Sequence, residues 1–318
     1  MPSAVVFRVI QILLLPLGIV GYVLWVGKLL LRGRRSRVSE TVLASFYTRW
    51  MQHNLGTRKD PACARMMRVL PNVPQFGLTF VTSPMLAANR ISGHVPKIYR
   101  YPYPGVPPLM HQSAARTTFF DEALSRYAGS VDQLVVLGAG FDTRSYRGLD
   151  VRCFEVDTPW TQPFKREMLR KAGVDTTGVT YVAADFEQED WFDKLVEAGY
   201  DPGAPAFFLW ESVTMYLDRA AVESTLRRIA GSAPGSAVAF DYFSTDLLEG
   251  GSLFMRYAKA ILDVLGEPWK FGLPTTPPPA RDHLADFVAS CGLSLEEQRN
   301  FGREPAPAGF VTATVRSP

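Results

Sequence analysis

The stretch Asp132–Arg147, DQLVVLGAGFDTRSYR, restricts the fold of this chain more than any other. Leu134, Val135, Val136 and Leu137 form an unbroken apolar run, the pattern of a parallel strand covered on both faces rather than an edge strand with one wet side. Gly138-Ala139-Gly140 ends that run at once. Glycines at such a point permit a tight turn and let backbone approach a ligand, so a strand, a glycine turn and a helix of an α/β sheet are expected here.

The chain beyond repeats the unit. A second apolar strand, Cys153–Asp157, leads into a helix from near Pro159 to Lys171, closed by Gly173. Val179–Ala183 reads as a strand running into Ala184-Asp185-Phe186, a helix covers Trp191–Ala198, and the strand Ala206–Trp210 ends in Glu211. Helix Asp218–Ala230 and strand Ala237–Tyr242 continue the alternation, which predicts a doubly wound, Rossmann-like parallel sheet. In such sheets ligands bind outside the carboxyl ends of the strands. Asp157, Asp185 and Glu211 each end an apolar strand, so three acids are expected along one edge. Each of them alone is as readily a helix N-cap or a solvated strand end.

Thr143 stands where a dinucleotide fingerprint has its third glycine, which disfavours close packing of a pyrophosphate. The carboxylates of Cys153–Asp157 nevertheless fall about 20 residues downstream, the distance at which an acid meets ribose hydroxyls. A ribose without a pyrophosphate suggests S-adenosylmethionine. Asp185 and Phe186 suit its adenine, the carboxylate accepting from the amino group and the ring adding apolar area. Glu211 suits a cationic amino group nearer the reaction centre.

The N-terminus has a different character. Val9–Val26 is apolar except for Gln11, and at about 1.5 Å per residue the stretch from Ala4 to Leu31 spans a hydrocarbon layer of roughly 30 Å. Arg32, Arg34, Arg35 and Arg37 follow, so a transmembrane helix with the rest of the chain cytoplasmic is expected. A helix lying in the interface is the alternative, because Pro16, Gly18 and Gly21 could bend the segment. A cleaved signal peptide would carry its basic residues on the other side.

Ser39–Leu70 shows helical spacing of Val42, Phe46, Trp50, Met66, Met67 and Leu70, read as ordinary core. Pro102, Pro104, Pro107 and Pro108 make Tyr99–Leu109 a loop, either a lid or a connector, and Gln112–Tyr127 turns helical again. The net charge of +3, with no long basic face interleaved with aromatics after residue 40, argues against a nucleic-acid partner. Cys63, Cys153 and Cys291 are isolated and show no metal-like spacing with His53, His94, His111 or His283, so no metal is expected.

The segments ARTTFFDEAL, QLVVLGAGFDTRSYR, FEVDTPWTQPFKREML, ADF and FFLWESVTMYL, in this order and spacing, resemble the leucine carboxyl methyltransferase-like family of class I S-adenosylmethionine-dependent methyltransferases. The resemblance covers roughly residues 40–318. It implies that Arg116 binds the methionine carboxylate, with Gly138 at the turn, Asp157 on the ribose, Asp185 and Phe186 at the adenine and Glu211 near the amino group. Residues 1–38 are then an anchor with a basic flank, 39–128 a helical and loop cap, and 129–318 the methyltransferase domain. Well-known members methylate a protein's C-terminal leucine and lack a membrane segment. Many bacterial relatives carry a small residue before the glutamate and a glycine after it, where this chain has Trp210 and Ser212. The expected activity is O-methylation of a carboxylate on an apolar small molecule or lipid. Its rivals are methylation of a protein C-terminus, a non-catalytic cofactor-binding scaffold and, more remotely, a nicotinamide oxidoreductase. A carboxylate is already ionised at neutral pH and needs no general base; an alcohol would need one, for which His111 and Tyr216 come into question.

Overall fold

The structure is a computed structural model and describes residues 3–32, 40–71, 73–250, 259–260, 262–263 and 268–316. A seven-stranded sheet is built from β1 (Gln133–Leu137), β2 (Arg152–Asp157), β3 (Val179–Ala183), β4 (Ala206–Trp210), β5 (Ala237–Phe243), β6 (Leu293–Asn300) and β7 (Ala308–Val315). Its strand order is β3-β2-β1-β4-β5-β7-β6. The first five strands are parallel, as their apolar runs imply, and β1, β4 and β5 are buried along their whole lengths. The order reverses between β1 and β4, which opens a crevice at their carboxyl ends.

The expectation of a wholly parallel sheet is corrected at the other edge. β7 runs antiparallel to both β5 and β6, so the sheet is mixed. Residues 301–307 alone join β6 to β7, too few for the crossover that a parallel pair requires. β6, LSLEEQRN, is an edge strand, and its polar residues leave little apolar surface for another chain to pair with.

Helices cover both faces. On one, α8 (Trp191–Glu197), α9 (Arg219–Ala230) and a C-terminal helix at Ala280–Ser290 bury Trp191, Leu226 and Val288 against Phe208 and Val238. On the other, α6 (Gln112–Tyr127) sets Phe119 and Phe120 against Leu209, Ala239 and Phe310. A third core joins α3 (Glu40–Asn54), α4 (Pro61–Met67) and α5 (Gln75–Ser92) to α7 (Thr161–Lys171) through Phe46, Met66, Leu78, Phe141 and Met168.

Residues 3–32 do not form the single span read from the sequence. α1 (Ser3–Leu13) and α2 (Leu15–Arg32) are two helices set at 60° to each other, and no single helix among the described residues is long and apolar enough to cross a membrane. Pro16 accounts for the break, since it has no N–H to donate and its ring would strike the carbonyl one turn back. Both helices pack on α5. At Gly21 the helices meet backbone to backbone, for a Cβ there would collide with Phe80 and Val81. Gly77 is confined less severely, a Cβ lying 3.2 Å from the Gly21 carbonyl oxygen. The arginines at 34, 35 and 37, on which the orientation was read, lie outside the described residues.

Candidate functional site

A cavity of about 420 Å³ opens at the carboxyl ends of β1, β2, β3 and β4, within the range of about 300–1,000 Å³ usual for small-molecule sites. Gly138, Asp157, Asp185, Phe186, Glu211 and Arg116 all line it. Six residues spread over 96 positions of sequence thus share one wall system, and α3 adds Ser45 and Arg49 from above.

The floor is the turn after β1. Gly138 and Gly140 have φ of +62° and +41°, which a side chain disfavours, and a Cβ on Gly138 would clash with Val213. The turn leaves the Gly140 amide facing β2, where it donates to Asp157 Oδ2 at 2.6 Å, while the Thr158 amide donates to Oδ1 at 2.7 Å. Burial pushes the Asp157 carboxyl up from the ordinary range, and those two amides oppose the shift. Two of the roughly four acceptor positions of this carboxylate are therefore taken, and its direction is fixed before any ligand arrives.

Beyond β3, Asp185 accepts from the Glu187 amide at 3.0 Å. Phe186 is held between Trp191 and Trp210, with ring centroids 5.8 and 6.4 Å away. Glu155, the other acid of β2, is not a second candidate for a ribose. It is buried in an ion pair with Lys165 at 2.7 Å and accepts from Tyr146 at 2.9 Å, outside the cavity lining.

Arg116 lies in the lining, one turn into α6, and is buried in an ion pair that sequence reasoning missed. Its Nε and Nη2 both reach Asp241 Oδ2 at 2.8 Å. Asp241 Oδ1 accepts from the Ser212 amide at 2.7 Å, and burial raises this carboxyl while Arg116 pulls it back. Ser212 itself has φ +62°, the left-handed region that favours glycine. The residue after the glutamate is thus a strained backbone position. Asp241 had no local signal, being one polar residue inside the apolar strand AVAFDYF.

Glu211 is held from the opposite side. Arg144 Nη1 donates to its Oε2 at 2.5 Å, and Arg49 Nη1 lies 3.8 Å from the same oxygen. Arg144 is fully buried, and it also bonds Asp121 at 2.6 Å and Asp142. Arg58 continues the network to Asp121 at 2.7 Å and Asp60 at 2.5 Å, and Thr143 donates to Asp60 at 2.8 Å. Burial alone would raise the Asp121 carboxyl, yet Arg144 and Arg58 outweigh it and hold it below the ordinary range. The polar half of GAGFDTRSYR is therefore a buried clamp joining the turn to α3, α4 and α6. Charges at 142 and 144 between two buried strands were a readable hint, whereas their partners at 49, 58, 60 and 121 were not.

Gln112 Oε1, Ser212 Oγ and Trp269 Nε1 are buried in the lining without a hydrogen-bond partner among the described residues, polar groups that a ligand in the cavity could meet. His111 is not in the lining and pairs with Tyr103 at 2.7 Å; Tyr216 is in it. Tyr99–Leu109 stays out of the lining as well. Tyr101 donates to Asp121 at 3.0 Å and the Tyr103 amide to Thr118 at 2.8 Å, which straps the loop along α6 as a connector.

The sequence profile described as leucine carboxyl methyltransferase matches residues 94–230. A relative from Streptomyces coelicolor is 33% identical over 245 residues, 67% of this chain and 83% of its own length. One from Streptomyces avermitilis is 31% identical over 242 residues with the same two shares, and one from Rhodococcus jostii 38% identical over 151 residues, 45% of this chain and 51% of its own. All three bear names that assign them to the S-adenosylmethionine-dependent methyltransferases. The matched segment spans Arg116, Gly138, Asp157, Asp185, Phe186 and Glu211.

Proposed function

Because this chain belongs to the leucine carboxyl methyltransferase family of S-adenosylmethionine-dependent methyltransferases, we propose that it methylates a carboxylate oxygen of an apolar small molecule or lipid. S-adenosylmethionine supplies a methyl group on a sulfonium, an already activated leaving group, so the protein's part is alignment and exclusion of water.

Asp157, aimed by the Gly140 and Thr158 amides, accepts from the ribose hydroxyls, and Phe186 offers its ring to the adenine beside Asp185. Glu211, whose Oε2 takes both arginine contacts, keeps Oε1 for the ammonium. Arg116, steadied by Asp241, grips the carboxylate of the methionine moiety. Phe243, Met215 and Trp269 supply an apolar wall for the acceptor, with the Trp269 indole N–H as donor.

One observation carries the choice of a carboxylate. Among the described residues no histidine or cysteine lines the cavity, Tyr216 is the one group considered as a base that reaches it, and its acids are engaged: Asp142 and Glu211 by Arg144, Asp157 by two amides and Asp185 by another. Such a site favours an acceptor that arrives already ionised. Lipid and metabolite extracts incubated with methyl-labelled cofactor test this. A carboxyl methyl ester releases its label as methanol in mild alkali, whereas label that survives alkali, or that enters only protein, would refute the reading. A cytoplasmic location belongs to the same proposal, supported by the basic run at 32–37 and the anionic lipid of that leaflet.

A further inference from the structure

We propose that the bent helix pair α1–α2 is a bilayer-docking surface that lies in the plane of an anionic membrane rather than across it. Each helix uses one side for the protein. Phe7 is buried with its ring 5.0 Å from His94, Gly21 is pressed on α5, and Trp25 packs on the core that holds Phe46, Leu78 and Phe141. The opposite side is as apolar as the inner one. Val5, Val9 and Ile12 on α1, and Ile19, Val20 and Val23 on α2, are exposed at one-turn spacings. From Val9 to Gly27 there is no charged side chain, and Arg8 and Lys28 flank the run.

Charge selects the occupant. The first 39 residues hold six basic and no acidic side chains, while residues 40–318 hold 28 basic against 31 acidic and so carry −3. An isologous pairing of two such surfaces would bring two strongly positive segments together, which disfavours a second copy of the chain. An anionic lipid surface meets both features, taking the apolar side into its acyl boundary and the arginines among its headgroups. The 60° bend and the seating on α5 suit a surface laid flat. The inner core reaches Phe141, which lines the cavity, so docking there would set the cap of the site beside the membrane.

The inference does not depend on the methyl acceptor, and its test reads binding alone. The full chain is floated with vesicles of phosphatidylcholine, with and without phosphatidylglycerol, at low and high salt. The wild type should float with the anionic vesicles, less so in high salt, and alkaline carbonate should release it. Ile19→Glu with Val23→Glu alters two side chains that are 54% and 61% exposed and should lower vesicle partitioning ~10-fold or more. Arg34→Gln, Arg35→Gln and Arg37→Gln together should remove the preference for phosphatidylglycerol. Binding of S-adenosylhomocysteine should persist in both variants, which separates this result from a failure of the functional reading. A wild type that stays out of both floats, a double variant that partitions equally, retention through carbonate, or a dimer that the glutamates dissolve would each overturn the proposal.

Discussion

Replacing Arg144 by methionine should cost more stability than any other single change near the site. The guanidinium is fully buried and bonds Asp121 and Glu211 at 2.6 and 2.5 Å as well as Asp142, so its removal leaves three carboxylates in an apolar setting with less compensation. Breaking a buried pair by removing one partner costs about 3–5 kcal/mol. Arg58 still serves Asp121, and Arg49 still serves Asp142 at 3.1 Å, which favours the lower half of that range. The melting temperature should fall on the order of 5–10 °C. The pH dependence gives the sharper test. In the wild type Asp121 and Asp142 are held below the ordinary carboxylate range, burial opposing and the arginines prevailing. A depressed carboxyl contributes stability that is present above its unfolded pKa, about 3.9, and is lost as pH falls through the folded value. Without Arg144 burial dominates, the carboxyls rise, and the variant binds protons on acidification that the wild type does not. The gap between the two should therefore narrow from pH 7 to pH 5. Urea unfolding followed by circular dichroism at both pH values measures it. A variant within about 1 kcal/mol of wild type at pH 7, or a gap that widens in acid, would refute the clamp.

Three further outcomes are expected. Asp157→Ala should weaken cofactor and adenosine alike by roughly 1.5–3 kcal/mol in calorimetry, and because burial raises this carboxyl, wild-type affinity should decline with acidification at a pH above the ordinary Asp value. Arg116→Lys should lose affinity for S-adenosylhomocysteine but not for adenosine, since an ammonium cannot span Asp241 and a ligand carboxylate as a planar fork does; equal affinities to wild type for both would take Arg116 out of the site. Ser212→Gly should melt no lower than wild type and up to about 1 kcal/mol more stably, because glycine relieves φ +62°, whereas Ser212→Val should destabilise.

The sequence disclosed what is local. The runs at Leu134–Leu137 and Ala206–Trp210 announced buried strands, and the acids at the ends of β2, β3 and β4 marked the edge on which the cavity opens. β6 and β7 were not legible, since LSLEEQRN lacks a continuous apolar run and their pairing is a hairpin at the end of an otherwise parallel series. The anchor misled for a related reason. Hydropathy counts apolar residues, and although Pro16 offered a bend, nothing in the sequence showed that Gly21 seats the segment on α5 beside Gly77. Arg116 was legible as a candidate for the lining and its partner was not, because Arg116 and Asp241 are 125 residues apart and nothing short of the fold joins them. The same holds for Arg49 and Asp142, 93 residues apart.

The central claim is that the cavity at the ends of β1 to β4 holds S-adenosylmethionine through Asp157 and its neighbours. Titration calorimetry of the full chain with S-adenosylhomocysteine tests it most directly, with NAD as the comparison and Asp157→Ala as the control. The account predicts saturable one-site binding, none to NAD, and a marked loss in the variant. A protein folded by circular dichroism that binds neither S-adenosylhomocysteine nor S-adenosylmethionine, or that binds with Asp157→Ala indistinguishable from wild type, would contradict it.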